Sequence, residues 1–310
     1  MKEIIFLTPI FKEMIWGGER LKTEFGYDIP SDHTGECWGV SAHEHGDCIV
    51  SDGSFKGKSL SYLWEHHREL FGSLPMDCFP LLTKIIDTKT DLSIQVHPDN
   101  EYANIHENGS LGKTECWYIL DCDEDAKIVI GHHAADKEEM KSMILNKEWD
   151  KFIRVVDLKK GDFFQIDHGC VHAIKGGSLI LETQQNSDIT YRVYDYDRLS
   201  GGSLRELHIQ KSMDIITAPF IEKNINPQKE IGQGYQKTHF ITTEYYTVEK
   251  LDITETVTMK QEKPFLIMSV IEGSGFIDKQ AITKGRHFII PYEYGEFVLE
   301  GTMTIIQSYV

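Results

Sequence analysis

Apolar positions along the chain come in short runs rich in β-branched and aromatic residues, broken at close intervals by Gly, Asp, Asn or Pro. IIFLTPIF, CWGVSA, LLTKIID, LSIQVHP, ECWYILDC, KIVIGHH, DFFQID, CVHAI, SLILETQ and ITYRVYDYD each read as a strand. Such a series predicts an antiparallel sandwich or barrel. Helical periodicity is confined to three stretches. Over 59–72 (SLSYLWEHHRELFG), Leu60, Leu63, Trp64, Leu70 and Phe71 fall near one face behind a candidate N-cap, Ser59. Residues 135–152 open with acids that suit a first helical turn, and 203–216 form the third stretch. Two prolines, many polar residues and little periodicity mark 217–237 as a linker between two domains.

The strands after the linker echo those before it. KKGDFFQIDHG (159–169) and TKGRHFIIPYEYG (283–295) both read basic–Gly–x–x–aromatic, then an apolar strand and a turn. Each also follows another strand pair. Two copies of one β-unit imply two related barrels, one over 1–216 with a short helical segment at about 59–72, the other over 238–310.

Length agrees with two domains, since 310 residues exceed what one core of ordinary size needs. The formal charge of −17 argues against nucleic acid as a partner, because a phosphate backbone demands a basic surface. A small anion is still admissible, as a few cations in a cleft set the local field. No stretch approaches 18 apolar residues, and the opening residues carry acids early, so neither a membrane span nor a signal peptide is expected. The six cysteines are scattered without a C-x-x-C pair, which suits reduced thiols in a cytoplasmic protein.

The chemistry enters through histidine. Gly161, Asp167, Gly169 and His172 trace Gly-x5-Asp-x-Gly-x2-His, close to the second half of the cupin pattern, where proline usually stands at the Asp position. In the second copy Gly285 leads to Pro291, but Glu296 occupies the histidine's place, so that barrel is expected to lack metal ligands. In SIQVHPDN (93–100), strand alternation turns Gln95 and His97 to one face, and in GKTECWYIL (112–120) Lys113 and Glu115 share a face. Gln95, His97, Glu115 and His172 therefore form a two-nitrogen, two-oxygen set suited to zinc. His168 is expected in the turn. The adjacent pairs His132–His133 and His66–His67 are expected to be non-ligands, since neighbours on a strand point to opposite faces and the latter pair lies on a charged helix.

SIQVHPDN, KTECWYIL, GCVHAI and LETQQNSDITYRVYDYDR, with WGG near the start and GECWGVSAH after it, resemble the type I mannose-6-phosphate isomerases, most nearly their short bacterial form. The likeness spans about 8–210 and continues more loosely to the end. It implies a mainly β protein of two cupin-type (jelly-roll) barrels, with a few helices at the edge of the first. It also implies an aldose–ketose isomerase holding one Zn2+ per chain through Gln95, His97, Glu115 and His172. By the same resemblance Arg192 is the active-site arginine, Lys113 a pocket lysine, and Glu182 and Asp188 acidic pocket positions. Trp16, Glu36, Lys84 and Ser93 fall in pocket-lining segments, with Glu182 a candidate base and Ser93 and Lys84 candidates for holding a phosphate. Two departures stand out: Gly112 replaces the long form's histidine before the lysine, and Ile174 replaces a tyrosine after the third ligand. Mechanisms built on those two groups do not carry over. The implied partner is a phosphosugar, and a monomer or weak homodimer is expected. A metal-dependent cupin dioxygenase and a non-catalytic sugar-phosphate-binding cupin are the competing classes. Gln95 as a fourth ligand, and Arg192 with the lysines, favour the isomerase.

Overall fold

In a computed structural model describing residues 3–310, the apolar runs become antiparallel strands of three main sheets. A five-stranded sheet is ordered Ile153–Asp157, Lys127–His132, His172–Ile174, Ile94–Val96, Tyr191–Tyr194. A six-stranded sheet is ordered Phe163–Ile166, Glu115–Cys122, Ser178–Gln185, Leu81–Thr88, Ile10–Gly18, Thr34–Val40. The ten-stranded sheet is built from strands after residue 228, joined at one edge by Ile5–Thr8 and Ile49–Val50. Hydrogen bonding does not close any of these sheets into a ring, so the expected cupin barrels are open jelly rolls of facing sheets.

The six-stranded sheet is the middle layer. Every residue of Leu81–Thr88 and Ser178–Gln185 is buried, and alternation divides each strand between two different interiors. One face sends Leu81, Ile85, Leu179 and Leu181 into a core shared with Ile267, Ile271 and Ile289 of the ten-stranded sheet. The other face sends Ile86, Trp117, Ile119 and Ile180 against Ile128, Ile130 and Ile174 of the five-stranded sheet. Behind the five-stranded sheet, Met140, Ile144, Phe152 and Met213 cover Ile94, Val96, Ala173 and Val193. A site placed between the five- and six-stranded sheets is therefore walled by apolar layers on both sides.

The helix expected over 59–72 forms as Leu60–His66 followed by a 3₁₀ turn, Arg68–Phe71, and buries Leu60, Leu63, Trp64, Leu70 and Phe71. The Ser59 hydroxyl accepts a hydrogen bond from the Tyr62 N–H at 3.2 Å. Ser59→Ala is expected to cost about 1 kcal/mol of stability, read as a lower urea midpoint with turnover unchanged. Residues 135–152 divide into Lys137–Leu145 and Trp149–Phe152. The stretch 203–216 is helical only over Ile209–Ile215; Ser203–Leu204 instead pairs with Leu199–Ser200 in a hairpin. Within 217–237, Gln228–Gly232 pairs with Tyr235–Thr242. Gly161 and Gly285, the matched glycines of the repeat, adopt left-handed φ of 90° and 87°, a conformation that favours glycine at both turns.

Candidate metal centre and active-site cavity

Strand register brings the four expected ligands together. His172 lies opposite Gln95, and Gln95 lies opposite Arg192, so the three form a row across the five-stranded sheet. Glu115 opens its strand in the facing sheet, and His97 follows directly on Ile94–Val96. His97 Nε2 and His172 Nε2 are 3.1 Å apart, and Glu115 Oε2 and Oε1 lie 3.5 and 3.4 Å from them respectively. All three side chains are at most 1% exposed.

The hydrogen bonds behind the rings decide what this cluster can hold. His97 Nδ1–H donates to the Ile189 carbonyl at 2.7 Å and His172 Nδ1–H to the Cys170 carbonyl at 2.9 Å. Each neutral ring is thereby fixed in the tautomer whose Nε2 carries a lone pair. Burial, and after it the Lys113 charge, pushes His97 down to about 3, and burial lowers His172 too. Neither ring therefore supplies a proton to part the two nitrogens. Glu115 Oε1 is buried and accepts no hydrogen bond. Burial alone would raise the Glu115 carboxyl, but the adjacent Lys113 charge outweighs it and keeps the group ionised. Three lone-pair donors thus converge on one buried point, which fits a divalent cation. The Gln95 amide reaches the same place, 3.3 Å from His172 Nε2, and turning the amide over presents its oxygen there.

A second His/His/carboxylate group, His43, His45 and Asp188, is partly exposed. There the His43 Nδ1 accepts from the His45 N–H at 3.1 Å. That leaves the ring proton on Nε2, which faces Asp188 Oδ1 at 3.6 Å. This is the tautomer opposite to that of a metal ligand. Among the described residues no such group falls within 238–310.

A cavity of about 220 Å³ opens beside the centre. Trp16, Glu36, Lys84, Ser93, Gln95, Lys113, Glu182, Asp188 and Arg192 all line it. His97, Glu115 and His172 are not among its lining residues. Lys113 Nζ is 2.6 Å from Glu115 Oε2 and 4.0 Å from Glu182 Oε1. Burial works against its charge, but Glu115 and then Glu182 prevail and hold it protonated. Lys84 Nζ sits between Glu182 Oε1 (3.5 Å) and Glu36 Oε2 (3.8 Å). Glu182 takes a hydrogen bond from Trp117 Nε1 at 2.9 Å on Oε2, while its buried Oε1 has none. Burial, then the nearby Glu115 charge, raises the Glu182 carboxyl above the ordinary glutamate range. A larger cavity of about 920 Å³ opens elsewhere and includes none of these groups.

A family model described as phosphomannose isomerase type I, catalytic domain, matches residues 4–125, and one described as mannose-6-phosphate isomerase, cupin domain, matches 236–310. Mannose-6-phosphate isomerase ManA of Bacillus subtilis is 52% identical over 313 residues, covering 99% of each chain. The chain belongs to the type I phosphomannose isomerase family. The mannose-6-phosphate isomerase of Streptococcus mutans is 46% identical across 100% of this chain and 99% of its own. A crystal structure of the mannose 6-phosphate isomerase from Bacillus subtilis superposes with a TM-score of 0.98 at 50% identity, both chains covered in full.

Within the type I phosphomannose isomerase fold, the cavity also gains residues that sequence reasoning did not assign to it, among them Trp38 and Arg205. Trp38 shares a strand face with Glu36 and donates its Nε1–H to Glu36 Oε2 at 2.6 Å, so alternation could have found it. Arg205 follows the hairpin ending at Leu204, and the helical reading of 203–216 hid its placement. His168 is half-buried in its turn, 3.4 Å from Thr114 Oγ1, and stands outside the ligand group.

Proposed function

We propose that this family member interconverts D-mannose 6-phosphate and D-fructose 6-phosphate through an enediol. The observation that carries the reading is the convergence of His97, Glu115 and His172, with Gln95, beside a cavity whose wall holds Glu182, Lys113 and Arg192. The metal is taken to be zinc, one per chain, from the nitrogen and oxygen donor set. When bound, it would polarise a sugar oxygen and offset charge developing there.

The chain's own groups divide the remaining work. One C–H bond breaks at C2 and one forms at C1, and the O2 hydroxyl proton is exchanged for one on O1, so no external oxidant or reductant is needed. Glu182 Oε1, buried and without a hydrogen bond, takes the C2 proton and returns one to C1. Lys113, held protonated, faces the oxygens as a fixed cation rather than as a base. Arg192 lies next to Gln95 and, among the described residues, has no carboxylate within ion-pair distance, so its guanidinium meets charge on the substrate. Trp16, Glu36, Lys84, Ser93 and Asp188 bind and orient the sugar. The Lys84 ammonium sets the position of Glu182 from across the strand pair.

Residues 1–216 carry this site, 217–237 link, and 238–310 form a second cupin unit without ligands, in the same reading. The protein works in the cytoplasm as a monomer or weak homodimer. Six free cysteines suit a reducing compartment, and no helix among the described residues is long and apolar enough to cross a membrane. The test is to incubate zinc-loaded protein with mannose 6-phosphate and assay fructose 6-phosphate with and without a chelator. Product is expected only without the chelator, and no product from the metal-loaded protein would overturn the reading.

A further inference from the structure

We infer that the substrate's 6-phosphate seats between the guanidinium groups of Arg192 and Arg205, at the end of the cavity away from His97 and His172. The inference rests on the isomerase reading and adds to it an anion subsite and a residue, Arg205, that sequence motifs do not single out.

Charge accounting points there first. Four cations line the cavity: Lys84, Lys113, Arg192 and Arg205. Both lysines are committed, Lys84 between Glu36 and Glu182 and Lys113 between Glu115 and Glu182. Neither has a charge to spare for a phosphate. At the other end, Asp195, only 4% exposed, receives Arg205 through two bonds of 2.7 and 2.6 Å and also binds Arg198 Nη2 at 2.5 Å. Arg192 has no ion-pair partner among the described residues, and its Nε is buried without a hydrogen bond. Three guanidinium charges against one carboxylate leave two positive charges unmatched within ion-pair distance, in a protein whose net charge is −17. A phosphate dianion supplies that balance.

The arrangement also opposes itself without an anion. Burial, and then the like charge of Arg205, bears against the Arg192 charge, and Asp195 offsets this only in part. An oxyanion seated against both forks would relieve the repulsion and satisfy donors that now have no acceptor.

Distance along the sheet agrees. His172, Gln95 and Arg192 occupy successive strands in register, so Arg192 stands two strand spacings, roughly 10 Å, from His172. A hexose phosphate whose C1 and C2 lie at the metal end must carry its phosphate toward the opposite end, where Arg192 and then Arg205 stand. The placement of both is fixed from behind: the Arg192 N–H donates to His208 Nδ1, the His208 N–H donates to the Arg192 carbonyl, and Asp195 holds Arg205. Arg192 has donors enough to touch a phosphate oxygen with one edge and a sugar oxygen with the other.

The experiment compares wild type, R205Q and R205K, all zinc-loaded, with inorganic phosphate as the probe. R205Q is expected to raise KM for mannose 6-phosphate roughly 10- to 100-fold, the loss of a charge-assisted hydrogen bond, with kcat changed less than about threefold. It should weaken competitive inhibition by inorganic phosphate to the same degree. R205K, which keeps the charge but not the fork, should recover part of both. Unchanged KM and phosphate inhibition in R205Q, or a loss confined to kcat, would overturn the assignment. Thermal melting and zinc content show whether each variant is folded, and R205K carries the test if R205Q is not. If wild type fails to turn over mannose 6-phosphate, the isomerase reading falls by itself. Calorimetric binding of phosphate to wild type but not R205Q would still support the anion site, and no binding to wild type would remove it.

Discussion

His97→Ala is expected to lose bound metal and turnover together, with kcat/KM reduced about 10³-fold or more, since a first ligand and several kcal/mol of charge stabilisation go at once. The side chain is 1% exposed and its Nε2 faces His172 Nε2 at 3.1 Å, so no neighbour can swing in to replace it. Removing it also frees the Ile189 carbonyl that fixed the ring. The substitution is best judged beside His168→Ala. His168 lies in the same hairpin as His172 but outside the ligand group, and its loss should leave both metal content and rate near wild type. Metal analysis and a steady-state assay on both variants check the pair. Full activity in His97→Ala would disprove the ligand assignment.

Glu182→Gln is expected to lower kcat by roughly 10²- to 10⁴-fold while the metal stays bound, because the change removes a proton-transfer group and not a ligand. Gln is close in shape, so the hydrogen bond from Trp117 Nε1 at 2.9 Å can persist through the amide oxygen. The pH profile carries a second signature. Burial and the Glu115 charge raise the Glu182 carboxyl above the ordinary glutamate range. A base must be ionised to act, so kcat/KM should fall as pH drops through this raised value, earlier than an exposed glutamate would titrate. The residual activity of Glu182→Gln should lack that acid limb. A rate close to wild type, or an acid limb that survives the substitution, would move the base to another group.

The fold was legible in the sequence where one residue's neighbours set its direction. Alternation places Gln95, His97 and Lys113 with Glu115, and the structure brings these side chains to one buried point. Capping made the helix after Ser59 visible, because a hydroxyl and an apolar stripe are both local signals. The short helix Asn100–His106 spans only two turns and buries a single alanine, so it leaves almost no periodic trace.

What the chain alone did not disclose is long-range. The run LLTKIID reads locally as an ordinary strand, and only the family resemblance puts its lysine in a pocket-lining segment. Lys84 is 5% exposed because its strand lies in a middle layer with an apolar interface on one face and the cavity on the other. Ile5–Thr8 joins the sheet of the distant C-terminal strands through the register Ile5↔Ile289 and Phe6↔Phe288, a pairing no local pattern encodes. Arg205 became a cavity residue only through a hairpin whose two leucines, Leu199 and Leu204, are exposed and carry no core signal. The tautomers of His97 and His172 depend likewise on two backbone carbonyls, one of them on another segment.

The most direct measurement is a zinc titration of metal-free protein, with conversion of mannose 6-phosphate to fructose 6-phosphate followed at each addition. The rate is predicted to rise from near zero in proportion to zinc and to level off at one ion per chain. Full turnover by the metal-free protein, or none at one bound zinc per chain, would contradict an isomerase built on His97, Glu115 and His172.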